Sequence, residues 1–504
     1  MTKTKLLLIL PIAFLLIGCG KQSIVTTKKE TTAENTTTTA QKTTEKITPR
    51  KTTSKKKTTT TEERTTTEAP KINASINFYV WNDEFKTRLN ELYPDVERAE
   101  GSKTTLRNGI VINWVQSANQ AAVFQGALDT GLENEMVDMF CFEADYATKY
   151  VKSDYVADMG ALGIDQKNQY KYTKDIVTNA AGKVVGTSWQ ATPGIIAYNN
   201  KVAKLAYGND VTLATMEGKL NTWAAYKTTA EELKTKSTAD QKFYMNIGTD
   251  DWFRVYQNNL SAKMWDGTNI TIDKQLFQWA KDTEDFVTDG YIKSTASTYG
   301  LWGEDWGKAQ GGTECLCVFS CPWFTDFCLN GNAKPDANGD LGYKAVRGYA
   351  SWFWGGTWLT ATKLAVENSK IRNTVKDIIA KMTTDTDILK KLAIKYGDFC
   401  NDQPAMEALA KSEEGNSKLF GGQNVFAIYA ESVKSADLSK ASDYDQQICE
   451  NFQNAFRNYF QGTKTPDVCW TDFKKAVAEA TSVKQDNVKM APGVTVTAYG
   501  ITIA

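Results

Sequence analysis

Thr187-Ser188-Trp189-Gln190-Ala191-Thr192-Pro193-Gly194-Ile195-Ile196-Ala197-Tyr198-Asn199-Asn200 is the stretch on which the reading of this chain turns. An aromatic segment leads into a Pro-Gly pair and then an apolar strand. Pro fixes φ and Gly relaxes it, so the chain changes direction there. Just upstream, Gly182-Lys183-Val184-Val185-Gly186 reads as a hairpin strand. The whole passage reads as a waist, where the polypeptide leaves one lobe and enters a second. Ser351-Trp352-Phe353-Trp354-Gly355-Gly356-Thr357-Trp358-Leu359 has the same character and would carry the chain back. Large flat side chains on mobile backbone between two lobes suit a cleft that closes on a ligand. The competing reading of each Trp is a core aromatic in a tight turn.

Upstream of the waist, Ile76, Phe78 and Val80 alternate with Asn77, Tyr79 and Trp81, a strand that ends in a polar loop. Phe85, Leu89, Leu92 and Tyr93 form a helical stripe before Pro94. A second strand spans 109–115, Phe124, Leu128 and Leu132 mark a second helix, and a third strand, apolar on both faces, spans 137–142. Strands alternating with helices predict a parallel sheet with right-handed crossovers and an α/β fold. Ligands of such sheets sit beyond the carboxyl ends of the strands. One wall of the cleft is therefore expected at Trp81-Asn82-Asp83-Glu84 and Glu143-Ala144-Asp145-Tyr146.

Downstream, helices are expected over 223–236 and 277–287, with the loop Thr249-Asp250-Asp251-Trp252-Phe253-Arg254 between them. Gly300-Leu301-Trp302-Gly303-Glu304-Asp305-Trp306 is another aromatic and acidic loop. A strand through Val318 and Phe319 meets Cys321-Pro322-Trp323-Phe324, where Pro suits a first helical turn. Ile371, Val375, Ile378, Ile379 and Met382 mark one amphipathic helix, and Ile448, Phe452, Phe456 and Tyr459 another. The tail from Val488 to Ala504 is an added strand or disordered. Cys315-x-Cys317-x3-Cys321 invites a metal reading, but the intervening residues make it a buried strand with Cys as a small apolar residue. The sequence does not give a disulfide pairing.

The beginning of the chain places the protein. A basic start and the apolar run Leu6 to Ile17 read as a signal peptide, and the ending Leu16-Ile17-Gly18-Cys19 resembles a bacterial lipobox, in which Cys19 would receive lipid. Residues 20–70 are rich in Thr, Lys and Glu with almost nothing apolar, so they read as a disordered tether. Residues 1–70 hold 13 of the 59 basic and 6 of the 59 acidic residues, which leaves a net charge of −7 over the rest. An acidic body argues against nucleic acid as partner.

With no His in 504 residues, Ser-His-Asp and Cys-His nucleophile activation are excluded, as are mixed His-carboxylate metal sites. No phosphate-binding or dinucleotide glycine fingerprint appears at a strand-to-helix junction. All 14 Trp lie after residue 80, many beside Asp, Glu, Asn or Gln in loops. Aromatic faces cover the C–H face of a sugar ring while carboxylates and amides bond its hydroxyls, so the combination points to carbohydrate.

Phe78-Tyr79-Val80-Trp81-Asn82, Asp138-Met139-Phe140 to Asp145-Tyr146, Ser188 to Gly194, Trp354-Gly355-Gly356-Thr357-Trp358 and Gly421-Gly422-Gln423-Asn424, behind a lipobox and tether, resemble extracellular solute-binding lipoproteins of sugar ABC importers. This is the maltose-binding-protein-like solute-binding family 1, in its Gram-positive form, and the resemblance covers about residues 75 to 485. It implies a two-lobed periplasmic-binding-protein-like fold, three hinge crossings and a sugar cleft between the lobes. Carried over, the pattern places Asn82, Glu84, Asp145, Tyr146, Trp323 and Trp354 against ligand. Trp81 belongs to the same wall, and Trp189, Trp252, Trp302 and Gln423 are added from the aromatic-loop argument. Expected segments are 71–188 and 351–398 for the first lobe, 189–350 and 399–487 for the second, and 488–504 as tail. Expected partners are a sugar or oligosaccharide, an ABC permease and, through Cys19, the outer face of the cytoplasmic membrane. The reading expects a monomer without cofactor or catalytic residues. Its rivals are a lipid-anchored glycosidase with a carboxylate pair and a polysaccharide-binding adhesin.

Overall fold

A computed structural model describes residues 71–504 apart from 118–120. The expected signal peptide, lipidation of Cys19 and tether all fall outside the described residues. In chain order the first strands are β1 (Ser75–Val80), β2 (Val96–Glu100), β3 (Lys103–Leu106), β4 (Val111–Gln116), β5 (Met139–Glu143) and β6 (Thr187–Ser188). They are followed by β7 (Ile195–Asn199), β8 (Ile270–Ile272), β9 (Cys317–Ser320), β10 (Tyr343–Val346) and β11 (Thr357–Ala361). Two main sheets result, one of seven strands ordered β2-β3-β4-β1-β5-β11-β6 and one of three ordered β10-β7-β9.

β1 runs parallel to both β4 and β5, as the alternation of strands and helices predicts. The rest of the large sheet corrects the expectation of a parallel sheet, because β2, β3, β6 and β11 are all antiparallel to their neighbours. The β2–β3 hairpin escaped sequence reading for a physical reason. Val96-Glu97-Arg98-Ala99-Glu100 is an almost wholly exposed edge strand and carries no hydrophobic period. β5 is the opposite case, with Met139 to Phe142 all buried. Each such side chain contributes about 1.5–3 kcal/mol of burial. Phe78 stacks on Trp114 with centroids 4.9 Å apart and meets Phe85 at 5.3 Å, so the first helix, Glu84–Leu92, is bolted to the sheet at its first turn.

In the second lobe β7 is buried along its whole length between β9 and β10. The helices Trp223–Lys236 and Lys274–Thr288 fall where their stripes predict, and Thr222 caps the former by accepting the Ala225 N–H at 3.1 Å. Ile448, Phe452 and Phe456 of Asp445–Phe460 are buried, and Phe452 meets Phe277 edge-on at 5.3 Å. Cys315, Cys317 and Cys321 are buried free thiols in and around β9, in the role of small apolar side chains. Among the described residues, no group of His, Cys, Asp and Glu is arranged to hold a metal ion, and no helix is long and apolar enough to cross a membrane.

Three segments run side by side between the two sheets. The Gly194 N–H donates to the Trp352 carbonyl at 2.7 Å and the Trp354 N–H to the Thr192 carbonyl at 3.0 Å. On the other side, Ala191 N–H donates to Phe399 O and Asn401 N–H to Trp189 O, both at 2.8 Å. The Pro-Gly pair thus lies at the centre of a small antiparallel ribbon. Gly194 is needed there because a Cβ would lie 2.0 Å from the Trp352 ring. One smaller expectation is corrected, and an alternative left open is resolved in favour of added strands. Residues 182–186 form a turn with one bridge, Thr178 to Val184, and not a strand. The tail is ordered into Val488–Met490, parallel to β8, and a hairpin of Val494–Thr497 with Gly500–Ile503.

Candidate functional site: the seam between the lobes

The loop after β1 contributes the first acid. Asn82 Oδ1 accepts the Glu84 N–H at 3.0 Å and so fixes the start of helix Glu84–Leu92. Glu84 is buried, and its Oε1 accepts from Gln190 Nε2 at 2.8 Å. Burial, followed by the charge of Asp398, pushes its carboxyl up to about 7. Arg88 stands one turn on, 3.7 Å from Glu84, 3.3 Å from Asp398 and 3.8 Å from Asp326, with its guanidinium 4.0 Å from the Tyr396 ring centroid. Asp326 follows the Pro322 turn beyond β9, so Arg88 ties the first lobe to the second.

The loop after β5 contributes two more. Asp145 receives a bidentate pair from Arg254, Nη1 to Oδ1 at 2.9 Å and Nη2 to Oδ2 at 2.7 Å. Arg254 belongs to the second-lobe helix Phe253–Gln257. The Asp145 and Arg254 side chains are only 11% and 20% exposed. Glu143, the last residue of β5, carries no such bond. Burial first, and the Asp145 charge second, push its carboxyl up to about 8 against the opposing pull of Arg254. Its Oε1 lies where a side chain at position 355 would begin, 2.7 Å from a Cβ built on Gly355. Only glycine, here at φ +60°, lets the acid meet the second crossing.

Aromatic rings complete the seam. The Arg254 guanidinium lies 5.4 Å from the Trp354 ring centroid. Trp323 donates its indole N–H to the Trp354 carbonyl at 2.8 Å and meets that ring edge-on at 5.1 Å. Trp302 stacks over Trp323 at 6.2 Å and 21°. It is 54% exposed and holds φ +71°, a conformation that costs a bulky side chain roughly 1–3 kcal/mol. Its loop is braced by Trp306, which donates to the buried Asp251 at 2.7 Å. Strain spent to present an exposed indole over two others is the clearest local sign of a binding surface.

The structure brings Asp145, Trp302, Trp323 and Trp354 into one continuous set of contacts, with Glu84 and Asn82 at the neighbouring loop. The other predicted site residues are placed elsewhere. Trp81 meets Phe124 edge-on at 5.5 Å and makes no ring contact with the Trp302 cluster. Tyr146 is buried against Tyr150. Trp189 is buried against Phe85, with centroids 5.0 Å apart. Trp252 lies in the second-lobe core against Phe286 and bonds Thr283 at 3.0 Å, because its neighbour Phe253 begins a helix that turns the indole inward. Gln423 has both ends of its amide engaged by the backbone of Ala345, at 2.9 and 2.7 Å. Sequence reading put Glu143 in the expected cleft wall without a role and missed Arg88, Arg254 and Asp326 as site residues. Arg254 stood in the quoted loop and Glu143 at a quoted strand end, but nothing local shows a partner 109 residues away.

No protein-family model matches the chain, and no curated protein matches it. Solved structures do. One described as an extracellular solute-binding protein family 1 aligns with a TM-score of 0.63 at 16% identity, covering 81% of this chain and 99% of that one. A transporter-associated binding protein from B. animalis subsp. lactis in complex with β-1,6-galactobiose aligns at 0.58 and 17% identity, covering 82% and 99%. An ABC substrate-binding protein from Listeria monocytogenes in complex with cycloalternan aligns at 0.57 and 15%, covering 82% and 100%. With two sheets, adjoining crossings and an aromatic and acidic seam between them, this chain has the two-lobed α/β fold of the extracellular solute-binding proteins of family 1.

Proposed function

We propose that this protein is a lipid-anchored, extracellular substrate-binding protein that captures a sugar or oligosaccharide in the seam and delivers it to an ABC permease. The observation that carries the reading is Trp302, an exposed indole held at φ +71° over Trp323 and Trp354, the latter ring in turn lying against Arg254 and its partner Asp145. In this reading residues 71–188 with 351–398 form one lobe, and 189–350 with 399–487 the other. Micromolar binding needs about 8 kcal/mol. Hydrogen bonds to charged groups supply about 1.5–3 kcal/mol each, so a few of them with ring stacking suffice without covalent chemistry.

Function follows from where the groups come from. The acids Glu84, Glu143 and Asp145 lie at or just beyond the carboxyl ends of β1 and β5 of the first sheet, while Arg254, Trp302 and Trp323 belong to the second lobe. A sugar touching both sets does so only when the lobes are shut, and its extra affinity for that form drives closure. A permease then reads the closed shape. Anchoring through Cys19 keeps the protein within reach of it.

A thermal-shift screen against mono- and oligosaccharides tests the reading, because a ligand bound only by the folded state raises its melting temperature. Trp302→Ala is expected to remove the shift and to leave the unliganded melting temperature nearly unchanged. Absence of any shift across the panel would refute sugar capture. Appearance of new reducing ends in the same mixtures would favour a glycosidase, with Glu143 as the protonated acid.

A further inference from the structure

Outside the seam, the second lobe holds a cavity of about 280 Å³. It lies between the start of helix Trp223–Lys236, the helix Phe253–Gln257, the first half of Lys274–Thr288 and the segment leading into the second crossing. We propose that this cavity is a second binding site, which takes a single polyhydroxylated ring of monosaccharide size. It shares no residue with the seam.

The walls are aromatic and the rim is polar. Trp223, Tyr256 and Tyr349 face Gln275, Gln278 and Asp282. Trp223 is held in place by stacking on Phe286 at 5.4 Å and Tyr226 at 5.9 Å, and Tyr349 meets it at 5.3 Å. Asp282 is oriented by two donors, Tyr256 Oη to Oδ2 at 2.8 Å and Gln278 Nε2 to Oδ1 at 3.0 Å. Each carboxylate oxygen keeps a lone pair for a hydroxyl donor.

Two amides and a carboxylate already accepting two hydrogen bonds match neutral hydroxyls better than an ammonium group. The volume lies just below the roughly 300–1,000 Å³ typical of small-molecule sites, which suits a single ring. Gln275 is the residue to change. Its backbone N–H is already capped by Asp273 at 2.9 Å, so its side chain can be replaced without disturbing the helix start.

The experiment is saturation-transfer NMR on the whole protein with D-glucose, D-galactose and D-mannose as probes. At least one is expected to receive saturation from the unaltered protein and, equally, from Trp302→Ala. Gln275→Trp, which fills the cavity, is expected to abolish that transfer while keeping any melting shift produced by oligosaccharides in the seam. Gln275→Ala is expected to weaken it about tenfold, the effect of one hydrogen bond lost, and carries the test alone if the tryptophan variant does not fold. Transfer that survives both Gln275 variants, that disappears in Trp302→Ala, or that is absent for all three sugars overturns the proposal. Loss of the oligosaccharide shift alone bears on the seam and leaves this site standing.

Discussion

Asp145→Asn keeps the shape of the seam and removes one charge. The pair it breaks joins the two lobes through two short bonds and is shielded from water, with side-chain exposures of 11% and 20%. Removing one partner of a buried pair costs about 3–5 kcal/mol. Here the loss is partly offset, because Glu143 lies close enough for Arg254 to act on it and is held protonated in part by the Asp145 charge. Once that charge is gone Glu143 ionises more readily and replaces it, so the net cost is about 2 kcal/mol, roughly a 30-fold change in the equilibrium constant. Urea unfolding of the parent, Asp145→Asn, Arg254→Gln and the double variant measures the coupling. A coupling energy of about 2 kcal/mol is expected, and single effects that add to within about 0.5 kcal/mol would refute the pairing. The compensation has a pH signature. It needs ionised Glu143, so the cost of Asp145→Asn falls as pH rises and is greatest in mild acid. Adding Glu143→Gln removes that dependence. A flat profile for Asp145→Asn would show that Glu143 takes no part.

Other outcomes follow from the same geometry. Burial pushes the carboxyls of Glu84, Asp251 and Asp445 up to about 7 and that of Glu143 to about 8, all above their unfolded values. The folded state therefore holds these protons more tightly, so stability is full below the ordinary carboxylate range and is lost as pH rises through about 7 to 8, measurable as a falling urea midpoint. Trp302→Gly is expected to be more stable than Trp302→Ala by about 1 kcal/mol, because only glycine takes φ +71° without strain; equal midpoints would remove strain from the account. Gly194→Ala places a Cβ 2.0 Å from the Trp352 ring and is expected to cost several kcal/mol, at least about 3, by separating the first two crossings. A soluble, native-like Gly194→Ala protein with unchanged melting would mean that the crossings shift freely.

What the sequence disclosed and what it withheld divide along a physical line. Elements with a hydrophobic or helical pattern were legible, such as Trp223–Lys236 or the buried run of β5. So were the two Trp-Gly passages, whose close approach at Gly194 and Trp352 demands glycine beside a large ring. The β2–β3 hairpin was not, since an exposed edge has no apolar face to announce it. At the site, Trp302 could be proposed because aromatic residues in loops are conspicuous wherever they occur, whereas Trp323 came from the family resemblance. The same argument also drew in Trp189 and Trp252, since an indole carries no mark of the face it will present. In Thr249-Asp250-Asp251-Trp252-Phe253-Arg254 the helix begins at Phe253 and sends Trp252 into the core, and it is the less conspicuous Arg254 that reaches the seam. Charge pairs across the seam are the least legible of all, because Asp145 and Arg254 meet only after both lobes are complete and brought together. Their partnership belongs to the assembled fold and not to either segment. For that reason a coupling measurement between them bears more directly on how the two lobes are held together than any further reading of the chain.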